Sequence, residues 1–177
     1  MGTYIKAVVE ILTREGWVPN ASPVFYNDDR QDDPREARVP QPNLGQSYEL
    51  FTLLAGVREV EGITPLSKPR GLPEDTHSST LFDLAGPYES CPFGYEDEPA
   101  NVADYLSRRS DIERFAFSWV SIDELLQIDY EQMVPVRMEQ GKTTSLRDAL
   151  GDRFFNILEQ IQLVAPASQA RMLFCFT

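Results

Sequence analysis

Two largely apolar runs, the first of them rich in β-branched residues, bracket the sequence, and they constrain its fold more than any other feature. Tyr4-Ile5-Lys6-Ala7-Val8-Val9-Glu10-Ile11 is partly alternating, the pattern of a strand. Ala170-Arg171-Met172-Leu173-Phe174-Cys175-Phe176 contains the longest apolar run of the chain, Met172 to Phe176. That run has the length of a strand and falls far short of the roughly 20 residues a membrane helix requires. Both segments are apolar enough for a sheet interior and neither has another obvious partner, so they are expected to pair with each other. Phe115-Ala116-Phe117-Ser118-Trp119-Val120 predicts a further strand, and Arg14-Glu15-Gly16 a turn into a hairpin partner at Trp17-Val18.

Helical periodicity lies between these strands. Ser47 is an N-cap for a helix whose Leu50, Phe51, Leu54 and Val57 share a face. Ser121 with Glu124 three residues on is a capping box. Leu150, Phe154, Ile157, Leu158 and Ile161 recur at three or four within a long pattern from Leu146 to Leu163, which Pro166 stops. Residues 20–45 are rich in Asn, Asp, Pro and Gln and read as a solvated loop. Pro65, Pro69 and Pro73 with Gly71 forbid a helix or a central strand there. The expectation is one α+β domain over residues 1–177: a small, mainly antiparallel sheet, helices packed on one face, and long acidic loops.

Charge narrows the function. The 28 acidic and 16 basic side chains leave a net charge of −12, which disfavours direct binding of DNA, RNA or anionic membrane. One histidine excludes zinc sites built on two or three, and two cysteines exclude a Cys₄ site or a disulfide scaffold. Met1 to Ile11 lacks the apolar core of a signal peptide, so the cytoplasm, with both cysteines as thiols, is the expected setting. Residues 71–107 carry no Lys or Arg and eight carboxylates: Glu74, Asp75, Asp83, Glu89, Glu96, Asp97, Glu98 and Asp104. Leu81, Phe82, Leu84, Tyr88, Phe93, Tyr95 and Tyr105 give this acidic, loop-rich insertion the means to anchor itself to the body.

Tyr48, Leu50, Phe51, Leu54, Ala55, Val57 and Arg58, followed by Pro65, Pro69, Arg70, Gly71, Leu72, Pro73 and Asp75, resemble motifs of an uncharacterised family of small phage and prophage proteins. These share a Gly-Cys-Asp-Ile-His-type start, a Tyr-x-Leu-Phe-x-x-Leu-Ala-x-Val-Arg helix, a Pro-Ile-x-x-Pro-Arg-Gly-Leu-Pro-x-Asp loop, a Ser-Trp-Leu-Thr-x-x-Glu-Leu segment and a Val-Arg-Ile-Val-Phe-Trp-Phe-Asp-type ending. The matching residues are Gly2 and Ile5; Tyr48, Leu50, Phe51, Leu54, Ala55, Val57 and Arg58; Pro65, Pro69, Arg70, Gly71, Leu72, Pro73 and Asp75; Ser118, Trp119, Glu124 and Leu125; and Arg171, Phe174 and Phe176. The resemblance covers about a third of the chain and implies a phage or prophage origin more than a reaction. Where that family has Cys, Asp and His, this chain has Thr3, Tyr4 and Lys6, so any metal or acid–base chemistry of that cluster is lost and a binding role is favoured.

The candidate sites each have a plain structural alternative. His77 before Ser78 and Ser79 suggests a base beside a nucleophile, but adjacent side chains rarely make that contact, and a surface histidine is the simpler reading. Cys91 lies in acidic surroundings that would raise its pKa, and Cys175 belongs to the core. Asp28, Asp29, Asp32 and Asp33 lack the spacing of a calcium loop and are interleaved with arginines. Arg58, Lys68, Arg70 and His77 form the best small-anion candidate, against the alternative that Arg58 and Arg70 tether the proline loop through carboxylates such as Asp75. Trp17, Trp119, Phe115 and Phe117 read as core.

Two function classes follow. One is a phage- or prophage-encoded, non-enzymatic inhibitor of a host defence protein, of the anti-CRISPR or anti-restriction type. Its carboxylates at Glu74, Asp75, Asp83, Glu89, Glu96, Asp97, Glu98 and Asp104, with Tyr88 and Tyr95, would mimic nucleic acid on a basic host surface. The other is a protein that binds or hydrolyses a phosphorylated defence signal through Arg58, Lys68, Arg70 and His77. Neither class calls for a metal or cofactor.

Overall fold

The computed structural model describes residues 3–25, 41–85, 100–108 and 115–177. Strand β1 (Ile5–Thr13) turns at Gly16 into β2 (Gly16–Pro19). Helix α1 (Tyr48–Ala55) precedes the proline loop, which leads into α2 (Ser78–Ala85); α3 is Val102–Arg108. Strand β3 (Phe115–Ser121) runs into the short α4 (Ile122–Leu126), and β4 (Met133–Pro135) with β5 (Thr143–Ser145) makes a separate hairpin. Helices α5 (Leu146–Leu150) and α6 (Asp152–Val164) lead to the last strand, β6 (Ala170–Phe176).

The main sheet has the order β2-β1-β6-β3, and every pairing is antiparallel. The two terminal strands are therefore neighbours, as their shared apolarity requires, in register Val8 against Leu173. All seven residues of β6 are buried, because this strand is paired on both edges and covered on both faces. The fold is α+β with a small antiparallel sheet.

Alternation divides the strands between two cores. On one face Ala7, Val9, Val120, Met172, Phe174 and Phe176 meet α1, α4, α5 and α6. Ser47 caps α1 by accepting the Leu50 N–H, and Gly56 ends it with φ +67, the left-handed conformation that glycine adopts without strain. On the second face Val8, Phe117, Leu173 and Cys175 pack against Leu81, Phe82 and Leu84 of α2 and Tyr105 of α3. The expectation of helices on one face thus describes the larger core, and the apolar anchors of residues 81–84 and 105 build a second layer opposite it.

Two local differences from the sequence reading have backbone causes. The pattern from Leu146 to Leu163 is two helices, because Gly151 takes φ +75 and ψ 163 between them while the apolar spacing carries on across the break. Phe115, expected in the core, is 46 % exposed: the register of β3 shifts between Phe115 and Ser118, with Ala116 at φ +52.

Candidate functional site

The proline loop is a strap that wraps the edge of β3 and lies down on the second face of the sheet. At the edge, the Gly71 N–H donates to the Phe117 carbonyl at 2.9 Å and the Arg70 N–H to the Ser118 hydroxyl at 3.0 Å. This covers an otherwise open strand edge. The Arg70 guanidinium grips Glu124 with two nitrogens, at 3.0 and 2.6 Å, and stacks over Trp119 at 5.1 Å. That bidentate bond holds the Glu124 carboxyl at about 2, well below its ordinary 4.5, and raises the pKa of Arg70. Glu124 also accepts the Ser121 N–H and so completes the capping box of α4.

Further along, the strap is pinned by a buried ion pair. Glu10 of β1 and Arg171 of β6 are directly opposed across the two central strands, and both point to the second face. Arg171 donates from Nε and Nη2 to Glu10 Oε2 at 2.9 and 2.7 Å. The other Glu10 oxygen accepts the His77 N–H at 2.9 Å. Arg171 also reaches Asp75 Oδ1 at 2.9 Å and the Asp75 carbonyl at 3.3 Å, and it lies 4.2 Å from the centre of the Trp17 ring. The Glu10 side chain is 0 % exposed, so its charge is held by this network rather than by water.

The anion-site candidates do not converge. Arg70 is committed to Glu124. Arg58 lies by the first face, where its Nε donates to the Thr3 hydroxyl at 2.7 Å. Lys68 is exposed. His77 is half-buried on the strap, and its Nδ1 accepts the Ser79 backbone N–H at 3.1 Å, which places the Nδ1 lone pair on an amide. The tether reading fits Arg70 and Asp75 in kind but not in pairing: Asp75 goes to Arg171, and Arg70 to Glu124.

Of the carboxylates expected on a partner-facing surface, Glu74 is exposed, and Asp75 is 64 % exposed while bonded to Arg171. Asp83 requires a correction: it is 1 % exposed, turned into the body by its position on α2 beside Phe82 and Leu84, and cannot meet a partner. Asp104 is half-buried and accepts the Ala100 N–H at 2.8 Å at the start of α3. Glu89, Glu96, Asp97, Glu98, Tyr88 and Tyr95 lie outside the described residues, as do Cys91 and Asp28, Asp29, Asp32 and Asp33.

The residues that sequence reasoning passed over are Glu10 and Arg171 acting together. Their signal was present: one acid and one base, each inside a largely apolar strand expected to pair with the other. Among the described residues, no three His, Cys, Asp or Glu side chains meet in a metal-binding arrangement, and no helix is long and apolar enough to cross a membrane. A scan against protein-family models, a search of curated proteins and a search of solved structures returned no match to this chain.

Proposed function

We propose that this chain works by binding another protein through the carboxylate-rich segment 71–107, as a phage- or prophage-encoded, non-enzymatic inhibitor that occupies a basic, nucleic-acid-binding surface of a host defence protein. The observation that carries the reading is eight carboxylates in 37 residues with no lysine or arginine among them, about two thirds of the net charge of the whole chain. Mimicry of a duplex needs closely spaced negative charge, since DNA carries one charge per about 1.7 Å of axis. It also needs a firm mount. Helices α2 and α3, which flank residues 86–99 in sequence, are both seated on the second face of the sheet, where Tyr105 meets Phe117 edge to face at 6.0 Å. The strap before them is clamped by Arg171. Asp83 serves the body, so the binding surface draws on the other seven acids with Tyr88 and Tyr95.

The test uses the triple variant Glu96→Gln, Asp97→Asn, Glu98→Gln. Gln and Asn keep the size of Glu and Asp, and circular dichroism verifies that the variant folds. Wild type and variant are expressed in bacteria with an active CRISPR or restriction system, and phage plating is measured; the captured defence protein is then titrated with each at low and high salt. Wild type restores plating, and the variant loses that effect. The variant also associates more slowly, and its affinity depends less on salt. A variant that protects phage and binds as wild type does at both salt concentrations overturns the proposal.

A further inference from the structure

The helix motif Tyr48-Glu49-Leu50-Phe51-Thr52-Leu53-Leu54-Ala55-Gly56-Val57-Arg58 ends on an exposed arginine that the core does not use. Leu50, Phe51, Leu53, Leu54 and Ala55 fill the first core. Tyr48, half-buried, leans on that core at the start of the helix, and Arg58, past its end, comes back to it, with the Arg58 guanidinium 5.9 Å from the centre of the Tyr48 ring. Arg137, from the turn between β4 and β5, lies against the same ring at 4.4 Å. In a chain with a net charge of −12, these two arginines form no ion pair among the described residues. The carboxylates beside them in sequence are otherwise engaged: Glu49 accepts the Ser47 hydroxyl at 3.2 Å, and Glu139 pairs with Lys142. Glu59, next to Arg58, is exposed.

Both cations are held in place. Arg58 has φ +58, a strained conformation for a non-glycine residue, and the hydroxyl of buried Thr52 lies 3.0 Å from its carbonyl while accepting the Val60 N–H. Its Nε is bound by Thr3, itself buried, whose carbonyl takes the Gln46 side-chain amide at 3.0 Å. Among the described residues no hydrogen bond occupies its two Nη groups, and the residue is exposed. Arg137 sits in a turn closed by the Val136 N–H to the Lys142 carbonyl at 2.9 Å and the Lys142 N–H to the Glu139 carbonyl at 3.1 Å. Guanidinium forks match phosphate oxygens bidentately, and two of them match the charge of a phosphoryl dianion.

We infer that Tyr48, Arg58 and Arg137 form a site for a phosphoryl dianion, either free phosphate or the terminal phosphoryl of a small phosphomonoester. The site lies beside the first face, whereas α2 and α3 lie on the second, and it does not depend on the function proposed above. Calorimetric titration of the full chain at pH 8, in a phosphate-free buffer of fixed ionic strength, uses inorganic phosphate, adenosine monophosphate and acetate as probes. Phosphate binds saturably at 1:1 and shifts the Tyr48 ring protons in NMR spectra; acetate does not bind. Tighter binding of adenosine monophosphate than of phosphate assigns the site to a phosphomonoester, and the reverse to free phosphate. Arg137→Ala, at an exposed turn, keeps the fold and weakens binding about tenfold or more, whereas Arg153→Ala, on α6, leaves it unchanged. Arg58→Lys keeps a charge in place of the fork and weakens binding less than Arg137→Ala does. No saturable binding of phosphate by the wild type, binding of acetate equal to that of phosphate, or an Arg137→Ala variant that binds as wild type does would each overturn the inference.

Discussion

Arg171 and Arg70 hold the same strap, one beneath it on the second face of the sheet and the other at the edge of β3. The chemistry is alike: each guanidinium gives two nitrogens to one glutamate and lies against a tryptophan. The surroundings differ. The Glu10–Arg171 side chains are 0 and 5 % exposed, those of Glu124 and Arg70 37 and 25 %. In the first pair both charges have left water, so the network must satisfy every lone pair that water has abandoned. In the second, water screens the pair and replaces whatever is removed. Geometry alone does not set the worth of an ion pair; burial decides whether losing one partner strands the other.

Breaking the buried clamp has the largest effect. Arg171→Met removes one partner and leaves Glu10 charged in an apolar layer, at a cost of about 3–5 kcal/mol. Urea denaturation reads this as a lower midpoint with little change in slope. Replacing both partners, Glu10→Leu with Arg171→Met, recovers much of that loss, because no uncompensated charge remains. If the single and double variants unfold at the same denaturant concentration, the cost is lost packing rather than a stranded charge.

The edge clamp responds to pH more than to deletion. Arg70→Ala costs about 0–1 kcal/mol at neutral pH, as expected of a partly exposed pair. Because the folded state holds the Glu124 carboxyl near 2 against an ordinary 4.5, its contribution is complete above about pH 4.5 and is lost as pH falls toward 2. Melting temperature followed from pH 6 to pH 2 therefore falls less steeply in Arg70→Ala than in wild type over that window. Identical acid limbs would show that Glu124 draws its low pKa from Ser121 and not from Arg70.

A third variant sharpens the role of His77. Its backbone N–H, not its ring, reaches Glu10, so His77→Ala keeps the buried clamp and loses the acceptor for the Ser79 N–H. The cost is about 0.5–1.5 kcal/mol, and the partner binding proposed above stays within a few-fold of wild type. Removal of a general base typically costs about 10²–10⁴-fold, and a loss of that size with the fold intact would reassign His77 to chemistry.

The legible parts of this protein are the short-range ones. Ser47 and Gly56 bound α1, Ser121 and Glu124 form the capping box, and the apolarity of residues 4–11 and 170–176 pairs the terminal strands, because each rests on spacing or on hydrophobic burial. Gly151 was less legible: the apolar spacing runs unbroken through a glycine whose backbone turns the helix. The site was least legible. Arg70 had Asp75 close by in sequence, yet its partner is Glu124, fifty-four residues away; Asp83 belongs to an acidic run, yet α2 turns it inward.

The sequence by itself determined the class of fold, the neighbouring terminal strands, the helix caps and the strongly acidic character, since local propensity, burial and charge are properties of the chain. The tertiary structure alone decided which carboxylate meets which arginine, that a second helical layer covers the sheet, and that Tyr48 gathers Arg58 and Arg137. Those outcomes depend on the register of β1 against β6 and on the path of the strap. Charges attract at any sequence separation, and only the folded path sets which of them are close enough, and dry enough, to matter.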